Sequence, residues 1–374
     1  MATTTAYTAT QNEARQAAQS YLDQRLANGL TGRTSTAQPF TIPLIDISPS
    51  FSPSLSARKA VALQIRAACT NSGFFHITGH GIPEEVRQEI LTMAKRFFKT
   101  LPLEKKQALH ARHSPYFRGW EDSEYTYVNP GDIGADDAPA ETKEGFNWGY
   151  EAGLDPTGGD GQYVELDGKV VNGNQWPSED DVPGFYETIK RYYGPVLELA
   201  RHLSRLFALS LELDEHYFDE MLTHPGGFGR LMYYPAAKNP QPLDPEVKDK
   251  EIGLGAHSDY DCFTILLCSA APGLEILSPE DRWVPAPAVE GSFIINVADF
   301  LMRWTNGVYK STVHRVVNRT RDERYSVPFF FSINYDQTVE TLPSCITPDN
   351  PSRYPPVKAG EYILERLRAT TKDT

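Results

Sequence analysis

His257-Ser258-Asp259 sets an imidazole and a carboxylate two residues apart, and in extended chain a spacing of two points both side chains to one face. Two ligands of one ion then meet. His314 lies downstream in the β-branched run Ser311-Thr312-Val313-His314-Arg315-Val316-Val317, where a different strand can bring a third ligand to the same point. Two imidazoles and one carboxylate on one face of an octahedron leave three positions open, which is the donor set of non-haem ferrous oxygen chemistry. His257, Asp259 and His314 are therefore the candidate catalytic and metal-binding residues. They also read as ordinary core residues, because a His-x-Asp pair is common and a strand histidine is more often a satisfied core residue than a ligand. Arg324-Tyr325-Ser326 adds weight to the first reading: it sets a guanidinium and a hydroxyl two apart on a further strand, a pair that suits a carboxylate.

Convergence of these residues needs paired strands. After residue 225, short β-branched and aromatic runs alternate with Gly, Pro, Asn and Asp: Gly229 to Tyr234, Thr264 to Leu267, Leu274 to Leu277, Phe293 to Val297, Ser311 to Val317 and Tyr325 to Ile333. That pattern predicts a β-barrel or jelly-roll core, in a chain that is mainly β with flanking helices. Upstream, Ile42 to Ile47 and Phe74 to Ile77 read as strands. Apolar residues recur at helical spacing from Ser56 to Cys69, with Asn71-Ser72-Gly73 as a stop, and again after Pro83, which suits a first helical position. Ser178-Glu179-Asp180-Asp181 resembles a capping box ahead of a long helix through Phe185, Ile189, Tyr192, Val196, Leu199, Leu203 and Leu206. Gly360 to Arg368 reads as a closing helix. Residues 116–175 are rich in Gly, Asp and aromatics with little periodicity, which predicts long loops and short hairpins. The expected organisation is an N-terminal helical arm (Gln11 to Leu26) and linker over 1–40, a helix and strand region with irregular loops over 41–175, and a scaffold helix, jelly-roll core and closing helix over 176–374.

The chain has 374 residues, 40% hydrophobic and 23% charged, a composition that supports a full core. Its 36 Lys and Arg against 49 Asp and Glu give a net charge of −13, which repels phosphate backbones and anionic membrane surfaces. Neither nucleic acid nor a membrane is an expected partner; a small-molecule substrate is. No run approaches the roughly 20 apolar residues that span a bilayer, and residues 1–30 lack a basic-then-apolar leader, so the cytoplasm is the expected compartment. Cys69, Cys262, Cys268 and Cys345 form no C-x-x-C pair, which argues against a disulfide framework or a thiolate zinc site.

Six ordered motifs carry a resemblance. They are Ile42-Pro43-Leu44-Ile45-Asp46; Gly73-Phe74-Phe75-His76-Ile77 with His80-Gly81-Ile82-Pro83; Tyr233-Tyr234-Pro235; Ala256-His257-Ser258-Asp259-Tyr260; Trp304-Thr305-Asn306-Gly307 with Ser311 to Val316; and Arg324-Tyr325-Ser326. Over about residues 40 to 370 the chain resembles the Fe(II)/2-oxoglutarate-dependent dioxygenases of the isopenicillin N synthase-like family, with Leu231 to Lys238 and Arg303 to Val317 closest to fungal members, thymine hydroxylase-like enzymes among them. Met232 stands where many members have Asn, and Ala298 where Gly usually precedes Asp299. Neither departure removes a ligand or the Arg-x-Ser pair.

The resemblance implies a double-stranded β-helix with N-terminal helices packed outside it. It implies Fe(II) on His257, Asp259 and His314, and 2-oxoglutarate with its distal carboxylate on Arg324, Ser326 and Tyr234. With O2, the enzyme would hydroxylate, desaturate or rearrange a small aromatic or apolar metabolite of secondary metabolism, releasing succinate and CO2. Three other readings stand beside it: a 2-oxoglutarate-independent oxidase of the same family, a thymine hydroxylase-like pyrimidine oxygenase, and a jelly-roll binding protein without chemistry. The substrate pocket is expected from Phe330, four past Ser326 on one strand face, with Met232, Tyr116 and Phe146.

Overall fold

The computed structural model describes residues 16, 19–20, 22–23, 40–126, 140–171, 173–244, 249, 251–280 and 282–371. Most of the expected N-terminal arm and its linker lies outside them; the described positions 16, 19, 20, 22 and 23 are helical. Leu22 packs against Leu277 and Val313.

Strands β1 (Leu44–Asp46) and β2 (Phe74–Thr78) flank helix α1 (Leu55–Asn71), whose buried Val61, Ile65, Ala68 and Cys69 follow the helical period. The helix stops where Gly73 takes φ of 69°. A side chain there would run into the Lys310 carbonyl, so only glycine lets the chain pass into β2. Helix α2 (Glu84–Thr100) opens with two acidic residues in its first turn, Pro83 standing at the cap position rather than inside the helix as expected. A short helix α3 (Leu103–Ala108) follows, then strands β3 (Gly119–Glu121), β4 (Ala140–Glu141) and β5 (Glu144–Trp148). The long helix α4 (Phe185–Ser210) starts after Gly184, which has φ of 77°. The expected capping box sits instead in the preceding turn, where the Asp181 amide donates to Ser178 Oγ at 3.2 Å and the Gly184 amide to Glu179 Oε2 at 2.8 Å.

The remaining strands are β6 (Gly227–Tyr234), β7 (Glu251–Ile252), β8 (Leu254–His257), β9 (Phe263–Cys268), β10 (Leu274–Leu277), β11 (Trp283–Pro285), β12 (Phe293–Val297), β13 (His314–Val316), β14 (Arg324–Phe331), β15 (Thr338–Val339) and β16 (Val357–Lys358), with helices α5 (Asp299–Trp304) and α6 (Ala359–Thr370). An eight-stranded sheet runs β1-β2-β12-β9-β14-β6-β5-β3, and a four-stranded sheet runs β11-β10-β13-β8. Phe74, Met232, Tyr234 and Ile294 of the larger sheet pack against Leu254, Leu274, Ile276 and Val316 of the smaller, so the two close on one another as the expected jelly roll.

Alternation along the strands sorts their residues. On β14, Tyr325, Val327, Phe329 and Phe331 join the core beneath the helices, while Arg324, Ser326, Pro328 and Phe330 face the cavity between the sheets. Helices α1 and α2 pack on α4, and α2 also covers β6 and β14. The strand expected over Ser311 to Val317 shrinks to β13 because its first residues leave the ladder: Ser311 Oγ donates to Asp299 Oδ1 at 2.7 Å and Thr312 Oγ1 to the Ser72 carbonyl at 2.6 Å.

Candidate active site

His257 ends β8, and His314 opens β13 directly opposite it. Asp259 lies two residues past the end of β8, in irregular chain rather than on the strand, and reaches the same point. One ligand atom from each of the three lies within 4.8 Å of the others, and all three residues are buried. Each ring uses Nδ1 on a backbone carbonyl, His257 on Gly255 at 2.8 Å and His314 on Thr312 at 3.1 Å. A carbonyl only accepts, so Nδ1 carries the proton and Nε2 is the atom left for a ligand. Both Nε2 atoms stand 3.6 Å from Asp259 Oδ1.

The carboxylate is sorted in the same way. Asp259 Oδ2 accepts from Thr264 Oγ1 and from Asn296 Nδ2, the latter at 2.7 Å, which leaves Oδ1 on the side of the imidazoles. Burial pushes the Asp259 carboxyl up, but the charge of His314, then His257, and the Asn296 hydrogen bond outweigh it and hold the group well below the usual carboxylate range. Burial, and then the charge of His257, hold His314 down at about 4, so its ring is neutral. Two imidazoles and one carboxylate, each braced from behind, can hold a divalent ion with open positions.

Farther along the same cavity, the Arg324 guanidinium lies 4.9 Å from the centre of the Tyr234 ring, its partner in the β14–β6 register. Its Nη1 donates to Ser326 Oγ at 3.3 Å and its Nη2 to Cys268 Sγ at 3.2 Å. Buried beside aromatic and apolar walls, this cation can take a carboxylate.

Two family models match the chain, the N-terminal region of non-haem dioxygenases of morphine synthesis over residues 42–179 and the 2OG-Fe(II) oxygenase superfamily over residues 228–333. The 2-oxoglutarate-Fe(II) type oxidoreductase hxnY of Emericella nidulans is 36% identical over 328 residues, 87% of this chain and 89% of its own length. Clavatol oxidase claD of Penicillium crustosum is 34% identical over 339 residues, covering 88% of this chain and 97% of its own. A full-length Neurospora crassa protein, solved in complex with α-ketoglutarate and thymine, superposes with a TM-score of 0.71 at 27% identity, over 88% of this chain and 96% of that one. The chain belongs to the 2OG-Fe(II) oxygenase superfamily.

This oxygenase therefore has the double-stranded β-helix of its structural neighbours, and its cofactors are Fe(II), 2-oxoglutarate and O2. Its cavity is lined by His257, Asp259 and His314 at one part, by Tyr234, Arg324 and Ser326 at another, and by Met232 and Phe330 between the sheets. Two residues expected in the pocket are placed elsewhere. Phe146 pairs with Leu231 across β5 and β6, on the helix side of the sheet, and packs against Phe97, Trp176 and Phe185. Tyr116 is buried against Gly173 and donates to Asp167 Oδ1 at 3.3 Å, outside the cavity lining.

Sequence reasoning did not single out Thr264, Asn296 or Cys268. A signal existed for Asn296, a polar residue inside the otherwise apolar β12 and buried at 3% exposure. Asp261 was also missed: it is buried two residues past Asp259, and burial, followed by the Asp259 charge, pushes it up to about 8. Among the described residues no helix is long and apolar enough to cross a membrane.

Proposed function

We propose that His257, Asp259 and His314 hold Fe(II), and that Arg324, Ser326 and Tyr234 receive the distal carboxylate of 2-oxoglutarate while its keto-acid end reaches the metal. The observation that carries this reading is the single cavity in which the two sets of residues meet. The donor set fits the ion, since each imidazole leaves Nε2 for a ligand and the carboxylate leaves Oδ1.

Fe(II) and 2-oxoglutarate, when bound, would supply the activation of O2: two of its four oxidising equivalents go to the conversion of the keto acid into succinate and CO2, and two are left for the oxidation of a substrate C–H bond. The chain's own residues do the positioning. Arg324 offers a planar fork to a carboxylate and so sets the direction in which the keto acid lies. Thr264 and Asn296 fix Asp259; the Gly255 and Thr312 carbonyls fix the rings. Leu254, Leu266, Leu274 and Val316 line the same cavity with apolar surface that keeps water from the reacting centre.

The substrate in this reading is a small aromatic or apolar metabolite, oxidised by hydroxylation, desaturation or rearrangement, with Phe330 and Met232 as its nearest wall. Similarity to clavatol oxidase and to the Neurospora crassa protein solved with thymine supports a compact ring and a place in secondary metabolism. Four free thiols support a reducing, cytoplasmic setting. The test is aerobic turnover of iron-loaded protein on phenolic and pyrimidine rings, thymine included, with succinate and oxidised product both quantified. Equal amounts of the two are expected; product without succinate would point to the 2-oxoglutarate-independent oxidase.

A further inference from the structure

Beyond the triad and the cosubstrate anchor, two buried polar atoms on one face of the larger sheet have no partner. Arg230 on β6 lines the cavity, and its Nη2 donates to Glu121 Oε2 at 2.8 Å while its Nε–H meets no acceptor. Asn147 on β5 is the direct register partner of Arg230, and residues opposed in an antiparallel pair project from the same face. Its Nδ2 donates to Glu121 Oε1 and to the Phe117 carbonyl. Both partners are acceptors, so the amide has one orientation, and Oδ1 is left as a buried acceptor with nothing to accept from.

The frame around the pair is fixed. Glu121 also accepts from Thr126 Oγ1 at 2.8 Å, so the carboxylate that grips both side chains is itself held. On β5, Gly145 leaves space for the guanidinium, since a Cβ there would stand 3.2 Å from Arg230 Nη2. A buried donor and a buried acceptor without partners each cost free energy, and on two register partners held by one carboxylate they complement a ligand edge that carries an acceptor next to a donor.

We propose that Arg230 and Asn147 are the specificity edge of the substrate pocket, reading a carbonyl beside an N–H or an enolic O–H on a compact planar ring packed against Phe330. The inference rests on the oxygenase reading above and adds the chemical class of the substrate. Arg230 Nε–H donates to the carbonyl, and Asn147 Oδ1 accepts from the neighbouring N–H or O–H. Glu121 already neutralises Arg230. A carboxylate would therefore gain little from the guanidinium and would set its second oxygen against Asn147 Oδ1, acceptor on acceptor.

The experiment uses Fe(II)-loaded protein without O2, saturated with 2-oxoglutarate, and follows the visible band of the chelate as 2-pyridone, N-methyl-2-pyridone or benzoate is added. 2-Pyridone should perturb the band at a concentration at least tenfold lower than either of the others. Arg230→Lys keeps the charge beside Glu121 but moves the donor, and Asn147→Ala removes the acceptor; each should weaken 2-pyridone at least tenfold while 2-oxoglutarate still saturates. Equal binding of 2-pyridone and its N-methyl derivative, tighter binding of benzoate, unchanged affinity in both variants, or no response to any of the three rings would overturn the proposal. A wild-type protein that gives no 2-oxoglutarate band would instead overturn the site on which the proposal rests.

Discussion

His257 and His314 stand directly opposite one another on adjacent antiparallel strands, and each turns Nε2 to 3.6 Å from the same oxygen of Asp259. Backbone pairing sets that convergence. A slip of one residue between β8 and β13 would send one imidazole to the far face of the sheet and leave the others without a third ligand. With Fe(II) on these three residues, as proposed, metal affinity would depend on the partners that hold their side chains as well as on the ligand atoms.

Asn296→Ala removes the 2.7 Å donor to Asp259 Oδ2 and leaves Thr264 alone to orient the carboxylate. Loss of such an outer partner lowers metal affinity by about 10–100-fold. Fe(II) binding measured without O2 should show that loss; an unchanged dissociation constant would mean that Thr264 suffices.

Acid should weaken the metal-free protein through His314. Its ring is held at about 4, against roughly 6.5 in an unfolded chain, so the native state binds fewer protons between those values. The contribution is complete above pH 6.5 and is lost as pH falls toward 4, on the order of 3 kcal/mol in all. Denaturant midpoints of metal-free protein should fall between pH 7 and pH 5 more steeply in the wild type than in His314→Gln. Parallel profiles would assign the acid sensitivity to other groups.

Arg324→Lys replaces a planar fork by a point charge and gives up the contacts to Ser326 Oγ and Cys268 Sγ. A hydrogen bond to a charged group contributes about 1.5–3 kcal/mol, so the affinity for 2-oxoglutarate should drop roughly 10–100-fold while Fe(II) still binds. Titration of the keto acid into the iron-loaded variant measures it. Wild-type affinity would remove Arg324 from the anchor.

Phe146→Ala separates core from pocket. The ring is fully buried among Phe97, Trp176 and Phe185, and its deletion should cost about 3–5 kcal/mol of stability. The surviving folded protein should bind 2-oxoglutarate as the wild type does. A selective loss of ligand binding at unchanged stability would return Phe146 to the pocket.

Much of this frame is legible from residue types and spacing. Leu274–Leu277 and Phe293–Val297 are found to the residue, because each is an apolar run with clear punctuation at its ends. The run around His314 reads too long, since the composition of that run cannot reveal that the Ser311 and Thr312 hydroxyls are tied to Asp299 and to the Ser72 carbonyl. His257, Asp259, His314, Arg324 and Ser326 stand out by chemical type, and the structure brings them to one cavity. Phe146 is misjudged for a different reason. Alternation tells which residues share a face, but only the register with Leu231 tells which face that is. Cys268 contributes through a contact across strands, and Thr264 through the bend that brings β9 back to Asp259, neither of which a chain read in order displays.

The most direct test of the site is anaerobic titration of 2-oxoglutarate into Fe(II)-loaded protein, followed by the visible absorption of the chelate, with Arg324→Ala alongside. A saturable band in the wild type that is lost or shifted to far higher concentration in the variant is the predicted result. Bound iron without a band, or identical saturation in the two proteins, would contradict the assignment of the triad and the anchor to one cosubstrate site.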